Sequence, residues 1–435
     1  MIQEKLDVPF DPIAVSKRLC GQPGLAFLYS GLQAYGLGRY SILAANPLRT
    51  LSSRCFEAIE RELAGHAGGE GGGLPFYGGP IGYLSYDAGR SLEATQLKPS
   101  SGEVPGVRFA VYDGALVFDH EKRETWLTGL GVEEGRSSEA LRFAAAGEGG
   151  PELEAFSLQE ALQSNFERSE YLEAVESVRS RIRCGDVYQV NLSQRFEAKC
   201  AGSAFDLFLR LAEKSPAPYS AYLDFGDEQI VSSSPERFLQ IGQGRATTRP
   251  IKGTRSAGVS EEEAEANARE LGRSEKDRSE LLMIVDLERN DLGRVCEPGS
   301  VRVDELFRLE RYATVIHQTA DVSGVLESGV QPIDCVKALF PGGSITGAPK
   351  IRAMQVIDEL ERGERGIYTG AIGYFDVSGK VDLNIAIRTL RIAGGRLCFQ
   401  VGGGIVWDSD PASEYEETLL KAKAMVSALG GSLHG

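Results

Sequence analysis

Paired cysteines and long hydrophobic runs are features that this 435-residue sequence lacks. Its seven cysteines are scattered, odd in number and free of any Cys-x-x-Cys pattern, so neither a zinc site nor a disulfide framework is indicated. No apolar run reaches the roughly eighteen residues of a membrane span, and the start, MIQEKLDVPFDP, lacks the basic-then-apolar pattern of a secretory signal. We therefore expect a cytoplasmic protein that has reduced thiols and does not contact membranes.

An excess of positive charge is also missing. The formal net charge is −15, which argues against non-specific binding to DNA, RNA or acidic membranes. If the substrate is an anion, its site must therefore be locally basic or carry a metal. What the sequence does have is 42% hydrophobic residues, enough for a large core, and a length typical of two or three domains or of one large sheet unit.

The chain divides most clearly at residues 131–158, which are polar, small and acidic and predict a linker or a loosely ordered surface segment. We therefore expect an amino-terminal region at 1–150 and a second region at 160–430. The second region shows many strands with interspersed helices but no strict alternation, which predicts an α+β layered fold with mixed or antiparallel sheets.

Capping residues and hydrophobic periodicity locate several elements of the second region. They predict helices capped by Ser169 (ending at Gly185), by Ser260 and by Ser274 (through Leu287), strands at Val187–Leu192, Tyr368–Val377, Val381–Ile392 and Leu397–Val401, and a last helix at Pro411–Leu429.

Lys252 lies in the segment Arg-Pro-Ile-Lys-Gly-Thr-Arg, residues 249–255. A rigid proline, a glycine and three cations in seven residues are typical of a backbone that approaches a small anion. Two interpretations remain open. Lys252 supplies only charge, or a dry pocket and its cationic neighbours lower its pKa and make the amine a nucleophile or base.

Several acidic residues have two interpretations each. Glu236 follows a strand and is either catalytic or an exposed turn residue. Glu280, at the edge of an apolar helix, must face water, pair with a cation or bind a metal. Glu417 lies four residues before Lys421, with Glu414 on the same helix face, so the simple alternative is an ion pair. Two glutamates from separate helices would instead be typical of Mg²⁺, which retains water ligands.

Glycine-rich segments supply backbone N–H groups that bind carboxylate or phosphate oxygens. One such segment, Gly402–Gly404, follows a predicted strand, and another, Gly342–Lys350, precedes a helix. Neither has the dinucleotide or Walker pattern, so we do not expect a nucleotide site. Arg388 alternates with apolar neighbours on a predicted strand and could clamp a carboxylate. His317 is either an acid, base or donor, or a satisfied core residue.

Together these segments resemble the chorismate-utilising enzymes, in order from about Ser169 to the end of the chain. The resemblance implies one large α/β sandwich, of α+β type, in which two packed β-sheets are flanked by helices and bind Mg²⁺ and chorismate. The matching stretches are Gly185–Leu192, Ser234–Phe238, Arg249–Arg255, Ile284–Arg294, Gly342–Lys350, Arg365–Tyr374 and Val401–Lys421, with a weaker match at Gly78–Asp87.

The resemblance also implies roles for individual residues. Glu280 and Glu417 match metal-binding carboxylates, and Glu236 matches the acid that protonates the departing hydroxyl group. The other matched positions receive the substrate: Gly253, Thr254, His317, Thr346, Gly347, Tyr368, Arg388, Gly402, Gly403, Gly404 and Lys421.

Two positions sort the chemistry within the family. Water-adding members carry a lysine where this chain has Gln189, and anthranilate synthases carry an alanine in place of Lys252. The Pro-Ile-Lys-Gly-Thr form resembles the branch that makes aminodeoxychorismate. Lys252 would then attack C2 of the ring while Glu236 helps expel the C4 hydroxyl, and ammonia from a separate glutamine amidotransferase subunit would attack C4. The alternatives are anthranilate synthase chemistry, and a chorismate-binding regulatory subunit without catalysis.

The resemblance extends to a second site in the amino-terminal region. In this branch that region, together with the segment around Pro218, can hold a tryptophan molecule far from the chemistry. The residues at corresponding places are Ser30, Arg39, Tyr40, Pro218, Tyr219 and Ser220.

Overall fold

Two antiparallel sheets and the helices on their outer faces make up the computed structural model, which describes residues 1–65, 72–93, 97, 99–131, 136–312 and 315–431. The α-helices are α1 Pro12–Arg18, α2 Glu57–Ala64, α3 Arg136–Ala146, α4 Arg168–Arg183, α5 Ala204–Lys214, α6 Glu261–Arg273, α7 Glu275–Leu292, α8 Pro332–Leu339, α9 Lys350–Leu360 and α10 Pro411–Ala428. Two 3₁₀ helices span Tyr86–Glu93 and Gly343–Ile345. None of the described helices is long and apolar enough to cross a bilayer.

The strands follow one another along the whole chain. The first half contains β1 Ile2–Leu6, β2 Ala26–Tyr29, β3 Tyr40–Ala44, β4 Arg49–Ser53, β5 Gly79–Leu84, β6 Val107–Tyr112, β7 Gly114–Asp119, β8 Glu124–Gly129, β9 Ser157–Leu158, β10 Gln163–Ser164 and β11 Gln189–Ala201. The second half contains β12 Tyr219–Asp224, β13 Glu228–Ser234, β14 Arg237–Gly242, β15 Arg245–Arg249, β16 Ile251–Ser256, β17 Arg302–Arg311, β18 Val315–Val325, β19 Gly347–Ala348, β20 Ala371–Phe375, β21 Val381–Ile385, β22 Thr389–Ala393 and β23 Arg396–Ile405.

Both sheets combine strands from the two halves of the chain. The first sheet has the order β1-β8-β7-β3-β2-β12-β13-β22-β23-β11-β10, with β9 and β19 also paired to β11. The second has the order β16-β18-β15-β14-β21-β20-β5-β6-β4, with β17 paired to β18. The predicted α+β sandwich with two packed sheets is therefore confirmed. The division into 1–150 and 160–430 stays a prediction.

Three hydrophobic layers hold the sandwich together. The layer between the sheets takes Ile42 and Ile230 from the first sheet and Ile81 and Ile372 from the second. Outside the first sheet, strand side chains pack against α5 and α10, and outside the second sheet they pack against α7 and α8. Burial of apolar surface on both faces of each sheet is what stabilises so many strands in one unit.

The predicted linker is only partly correct, because α3 lies within it. Leu141, Ala144 and Ala145 of this helix are buried in the core outside the first sheet. The residues of α3 are mostly small or polar when its exposed and buried faces are taken together. The composition of this segment therefore predicted a linker, although one face of the helix is buried. Residues 132–135 of the same stretch lie outside the described part of the chain.

Two of the three predicted capping residues are confirmed. The Ser260 hydroxyl accepts the Glu263 N–H at 3.2 Å, and that of Ser274 accepts the Asp277 N–H at 3.3 Å. The prediction for Ser169 was wrong. Helix α4 begins at Arg168 because Glu167 occupies the cap position, with its N–H donated to the Glu170 carboxylate at 2.9 Å.

The predicted strand Val381–Ile392 is in fact two strands in different sheets. Strand β21 belongs to the second sheet and β22 to the first, and the chain crosses between them at residues 386–388. Arg388 has φ +49°, a left-handed conformation that ends strand geometry. The expectation that Arg388 lies on a strand was therefore wrong, and it lies at the crossover between the sheets.

Two further predictions change at the neighbouring elements. Tyr368 lies in the turn before β20 and not on the strand itself. The glycines at 402–404 lie inside β23, paired with Leu192 and its neighbours on β11, and do not form a turn after it. A Cβ at Gly402 would lie 2.5 Å from the Leu192 carbonyl oxygen, so close strand approach is the reason for glycine here.

Candidate active site

A bulge in an edge strand of the second sheet presents Lys252. On β16, Lys252 pairs with Gln318 and Thr254 pairs with His317, so Gly253 is the extra residue. Gly253 has φ +74°, and a Cβ there would lie 2.9 Å from the Asp277 Oδ1 atom, so only glycine fits. The bulge turns the Lys252 side chain toward the 3₁₀ helix Gly343–Ile345. There the Lys252 Nζ atom donates to the Ser344 carbonyl oxygen at 3.0 Å.

Glu236 lies in the connection between β13 and β14 and is only 4% exposed. Its Oε1 atom accepts the Ser344 hydroxyl at 2.8 Å and the Ile251 N–H at 3.3 Å. Ser344 therefore contacts both side chains, since its hydroxyl donates to the carboxyl of Glu236 and its carbonyl oxygen accepts from the amine of Lys252. The interpretation of Glu236 as an exposed turn residue is excluded by its burial.

The pKa values of these two groups shift toward each other. Burial raises the pKa of Glu236, while the Ser344 hydrogen bond and the charge of Lys252 oppose this rise. Burial lowers the pKa of Lys252, a shift that Glu280 and Glu236 oppose and Lys421 assists. Converging shifts increase the fraction of molecules in which the carboxyl is protonated while the amine is neutral. That combination is what a general acid beside a nucleophilic amine requires.

The remaining predicted acidic residues lie on two helices, Glu280 on α7 and Glu414 and Glu417 on α10. The charges of Glu280 and Glu417 both act on the pKa of Lys252. Gly403 of β23 makes the space for α10, because its Cβ would lie 3.2 Å from Oε2 of Glu414 and 3.7 Å from Oε1 of Glu417. Lys421 donates to the Gly402 carbonyl oxygen at 2.9 Å and forms the predicted ion pair with Glu417 at 2.7 Å.

The carboxyl groups on these helices differ in pKa. Burial raises the pKa of Glu280, and the charge of Lys252 opposes the rise, whereas Glu417 adds to it. Burial also raises the pKa of Glu414. For Glu417, the Lys421 ammonium outweighs burial and lowers the pKa. Among the described residues, no three His, Cys, Asp or Glu side chains are placed to hold a metal by themselves. A divalent ion here would take few protein ligands, as Mg²⁺ commonly does.

Arg388 and His317 lie beside each other near the bulge. Within the described chain, the Arg388 guanidinium makes no hydrogen bond or ion pair, and burial lowers its pKa. Burial, assisted by the charge of Arg388, lowers the pKa of His317 to about 3, so the ring is neutral. The His317 Nδ1 atom lies 2.9 Å from the Thr254 hydroxyl oxygen. A partly buried cation without a counter-ion is a ready carboxylate site.

Two of the predicted substrate residues instead have structural contacts. Thr346 donates its hydroxyl to the Gly342 carbonyl oxygen at 2.9 Å, within its own loop. A Cβ at Gly347 would lie 2.1 Å from the Gln189 carbonyl oxygen, so glycine lets β19 pair with β11. Gln189 itself is fully buried, and both polar atoms of its side chain lack a partner among the described residues.

The six residues predicted to hold tryptophan all line one cavity of about 720 Å³. The cavity is bounded by strands of both sheets, and Lys252 and Glu236 are not among its lining residues. In its wall, the Ser30 hydroxyl donates to the Tyr40 carbonyl oxygen at 2.6 Å, and Arg39 forms an ion pair with Asp119 at 2.8 Å. The structure brings these residues together, while the ligand stays a prediction.

The sequence analysis missed several residues of this region. Ser344 is the most important, because it joins Glu236 to Lys252. It lies in the glycine-rich segment Gly342–Lys350, which the sequence analysis interpreted only as a source of backbone N–H groups. Arg365 and Glu361, which support the loop behind Ser344, were also missed. Arg365 begins the stretch Arg365–Tyr374 that matches the family, and this match was the only available signal. Two of its hydrogen-bond partners, Ile345 and Asn191, are distant in sequence.

The comparisons with known proteins agree with this geometry. The family of chorismate binding enzymes matches residues 30–427. Aminodeoxychorismate synthase component 1 of Klebsiella aerogenes is 38% identical over 98% of each chain. Anthranilate synthase component 1 of Streptomyces coelicolor is 37% identical over 98% of this chain and 88% of its own. Among solved structures, anthranilate synthase component I from Streptococcus pneumoniae has a TM-score of 0.79 and 35% identity, covering 91% of this chain and 93% of its own.

This chain therefore belongs to the chorismate-binding enzyme family. It is a chorismate-utilising enzyme of the aminodeoxychorismate and anthranilate synthase type. The expectation of an enzyme is confirmed, and the alternative of a regulatory subunit without catalysis is set aside.

Proposed function

We propose that this enzyme forms 4-amino-4-deoxychorismate from chorismate and ammonia. The observation that carries the proposal is that Lys252 and Glu236 are both hydrogen-bonded to one residue, Ser344. The pKa shifts of the two side chains favour a neutral amine beside a protonated carboxyl. The relatives named aminodeoxychorismate synthase component 1, at 37–39% identity, support the same choice of product.

The first step joins the enzyme to the substrate. The neutral Lys252 amine attacks C2 of the ring, the ring double bonds shift, and the C4–O bond breaks. Glu236 donates its proton to the departing hydroxyl, which leaves as water. As the C2–N bond forms, the nitrogen of Lys252 passes one proton to Glu236, whose carboxylate was freed when it protonated the hydroxyl. The Ser344 carbonyl oxygen, 3.0 Å from Nζ, holds the amine in place before attack.

The second step releases the enzyme. Ammonia attacks C4, the double bonds return to their first positions, and the C2–N bond breaks as the lysine nitrogen takes a proton from Glu236. The new C4 ammonium then gives one proton back to the Glu236 carboxylate. The net reaction consumes chorismate and ammonia and yields aminodeoxychorismate and water. Two displacements leave the amine at C4, which one displacement at C2 does not achieve.

The carboxylates of the substrate require cationic and N–H groups. Arg388, which has no counter-ion among the described residues, takes one carboxylate together with the Tyr368 hydroxyl. Lys421 and the backbone of Gly402–Gly404 take the other. Neutral His317 and Thr254 lie beside the ring and can exchange hydrogen bonds without adding charge.

Glu280 and Glu417 are the residues that would hold Mg²⁺. They fit it because their charges repel one another beside Lys252 and because Mg²⁺ accepts two carboxylates while keeping water and substrate oxygens as its other ligands. Bound there, the ion would neutralise the ring carboxylate and favour the charge shift in the ring.

We propose that the ammonia comes from a separate glutamine amidotransferase subunit and that the product serves folate biosynthesis through p-aminobenzoate. The words "component 1" in the names of the relatives support a second subunit.

We also propose that the cavity between the sheets binds tryptophan, because the six predicted residues all line it and its volume accommodates an indole amino acid.

Mass analysis of the product tests the proposed function. Purified protein with chorismate, Mg²⁺ and an ammonium salt should give aminodeoxychorismate. The second candidate is anthranilate formation, favoured by the Streptococcus pneumoniae structure and the Streptomyces coelicolor relative. Anthranilate without aminodeoxychorismate would overturn the proposal. Adding a glutaminase partner with glutamine in place of the ammonium salt tests the source of nitrogen separately.

A further inference from the structure

One buried arginine contacts three segments of the site without being predicted to touch the substrate. Arg365 is 2% exposed and lies in the turn between α9 and β20. Arginine has five N–H donors in a fixed planar arrangement, and all five are used here. They bind both carboxylate oxygens of Glu361 (2.9 and 2.7 Å), the Ile345 carbonyl (3.0 Å), the Thr369 hydroxyl (3.1 Å) and the Asn191 carbonyl (2.7 Å).

The first segment is the 3₁₀ helix that contains Ser344. The Ile345 carbonyl, which Arg365 binds, belongs to the residue directly after Ser344. Ser344 in turn binds both Lys252 and Glu236. A shift of this helix would therefore move the acid and the amine relative to each other.

The second segment is β11, which pairs with the glycines of β23. Asn191, whose carbonyl Arg365 binds, lies opposite Gly404. Glu361 holds the same strand, because its carboxylate accepts both the N–H and the hydroxyl of Ser193 at 2.8 Å. The pair Arg365 and Glu361 thus fixes the strand that supports the glycine backbone.

The third segment is the turn that contains Tyr368. Thr369 has φ +60°, an uncommon and costly conformation for a β-branched residue. Its hydroxyl accepts from Arg365, and its N–H donates to the Ala386 carbonyl at 2.9 Å, in the crossover that contains Arg388. The guanidinium also lies 5.5 Å from the centre of the Tyr368 ring.

We propose that Arg365 is a positioning residue of the active site, acting through these three segments, with Glu361 as its partner. The inference rests on the proposed function, since the positioned groups are the residues assigned there to chorismate. A lysine in its place keeps the charge but has three donors and no planar fork, so at least two of the five contacts are lost. Misplacement of reacting groups by about 1 Å can cost on the order of 10²-fold in rate.

The test compares Arg365→Lys with the wild type by the rate of chorismate consumption. We expect kcat to fall about 10²-fold and KM for chorismate to rise. The pH dependence of kcat should also shift, because Ser344 no longer holds Glu236 and Lys252 in the wild-type positions. Arg108→Lys is the matched control. Arg108 is a partly buried arginine on β6 that binds the buried Glu228 at 2.8 Å and, among the residues described, none of the three segments held by Arg365. The kcat, KM and pH profile of the Arg108→Lys variant should therefore equal those of the wild type.

A purely structural role predicts a different result. Partial unfolding reduces the number of active molecules, which lowers the apparent kcat but leaves KM and the pH profile as they were. Glu361→Gln, which keeps the side-chain shape, provides a second variant if Arg365→Lys does not fold, and it should change the same parameters less. Folded variants at both positions with wild-type kcat, KM and pH profile would overturn the proposal.

The same experiment separates this inference from the proposed function. Chorismate consumption reports on positioning whatever product forms, whereas mass analysis of the product reports on the reaction. If the wild type makes anthranilate and Arg365→Lys still loses turnover with a shifted pH profile, the proposed function fails and the positioning role stands.

Discussion

Two cationic residues of the site around Lys252 differ from two arginines at the cavity between the sheets in whether they have a carboxylate partner. Within the described residues, Lys252 and Arg388 have no carboxylate ion-pair partner, although both are partly or largely buried. In the cavity wall, Arg39 pairs with Asp119 at 2.8 Å and Arg237 pairs with Asp382 at 3.2 Å.

This difference distinguishes reaction from recognition. A buried cation without a counter-ion costs folding free energy. An anionic substrate can supply the missing charge at Arg388, whereas the lowered pKa of Lys252 reduces the cost there. A paired charge shapes a wall without demanding a counter-ion. We therefore expect substitutions near Lys252 to affect turnover, and substitutions in the cavity to affect ligand binding alone.

The largest expected effect comes from Lys252→Ala. Removing the amine that we propose attacks C2 should reduce aminodeoxychorismate formation to the limit of detection, because ammonia cannot then reach C4 by a double displacement. The measurement is product by mass analysis, together with a search for a covalent adduct on the wild type. Lys337→Ala, which removes a partly buried lysine paired with Glu60 on α2, should leave turnover unchanged. Undiminished aminodeoxychorismate formation by Lys252→Ala would remove the nucleophilic role.

Glu236→Gln should reduce kcat by about 10²- to 10⁴-fold, the usual contribution of a general acid. It should also change the pH dependence. In the proposed mechanism the reactive form of the wild type has protonated Glu236 and neutral Lys252, so its rate should fall at alkaline pH as the carboxyl loses its proton. In Glu236→Gln only the amine titrates, so the rate should rise with pH and then stay level. A rate that still falls at alkaline pH in this variant would assign that limb to another group.

The metal prediction has a smaller expected effect. Glu280→Gln should weaken Mg²⁺ binding by roughly tenfold or more, because one of two carboxylate ligands is lost. Calorimetry of Mg²⁺ binding in the presence of chorismate measures this without requiring turnover. Glu270→Gln is the control, since Glu270 lies on α6 and pairs with Arg255 on the surface. Equal Mg²⁺ affinity in wild type and Glu280→Gln would exclude Glu280 as a ligand.

The smallest effect on turnover is expected in the cavity. Tryptophan at 100 times its Kd should stabilise the folded protein by about 2.7 kcal/mol and raise its Tm, leaving chorismate turnover unchanged. Ala221→Leu, which adds carbon atoms to the cavity lining, should abolish this shift. A Tm that does not respond to tryptophan would refute tryptophan binding, and a change in turnover with Ala221→Leu would show that the two regions are coupled.

Local features of the sequence predicted local structure well. The caps at Ser260 and Ser274 were correct because an N-cap hydrogen bond involves residues only three apart. The cap at Ser169 failed for an equally local reason, because Glu167 takes the cap position and its N–H is bound by the Glu170 carboxylate. The motifs also identified the family, which the match over residues 30–427 confirms.

Features that depend on distant residues were predicted poorly. The run from Val381 to Ile392 has one hydrophobic pattern, and nothing within it indicates that its two halves join different sheets. The strand geometry of Gly402–Gly404 depends on the approach of β11, about two hundred residues earlier in the chain. Alternation predicts a strand, but it does not identify the partner of that strand.

The sequence by itself determined which chemical groups this enzyme contains, and therefore its family and the lysine and glutamate that we propose as nucleophile and acid. Tertiary structure alone decided how those groups are held. Ser344 joins Glu236 and Lys252 across separations of 108 and 92 residues. Arg388, where the chain crosses between the sheets, has no counter-ion among the residues that the structure describes. Hydrogen bonds and burial act through space, so the electrostatics of the site arise only when distant segments pack together.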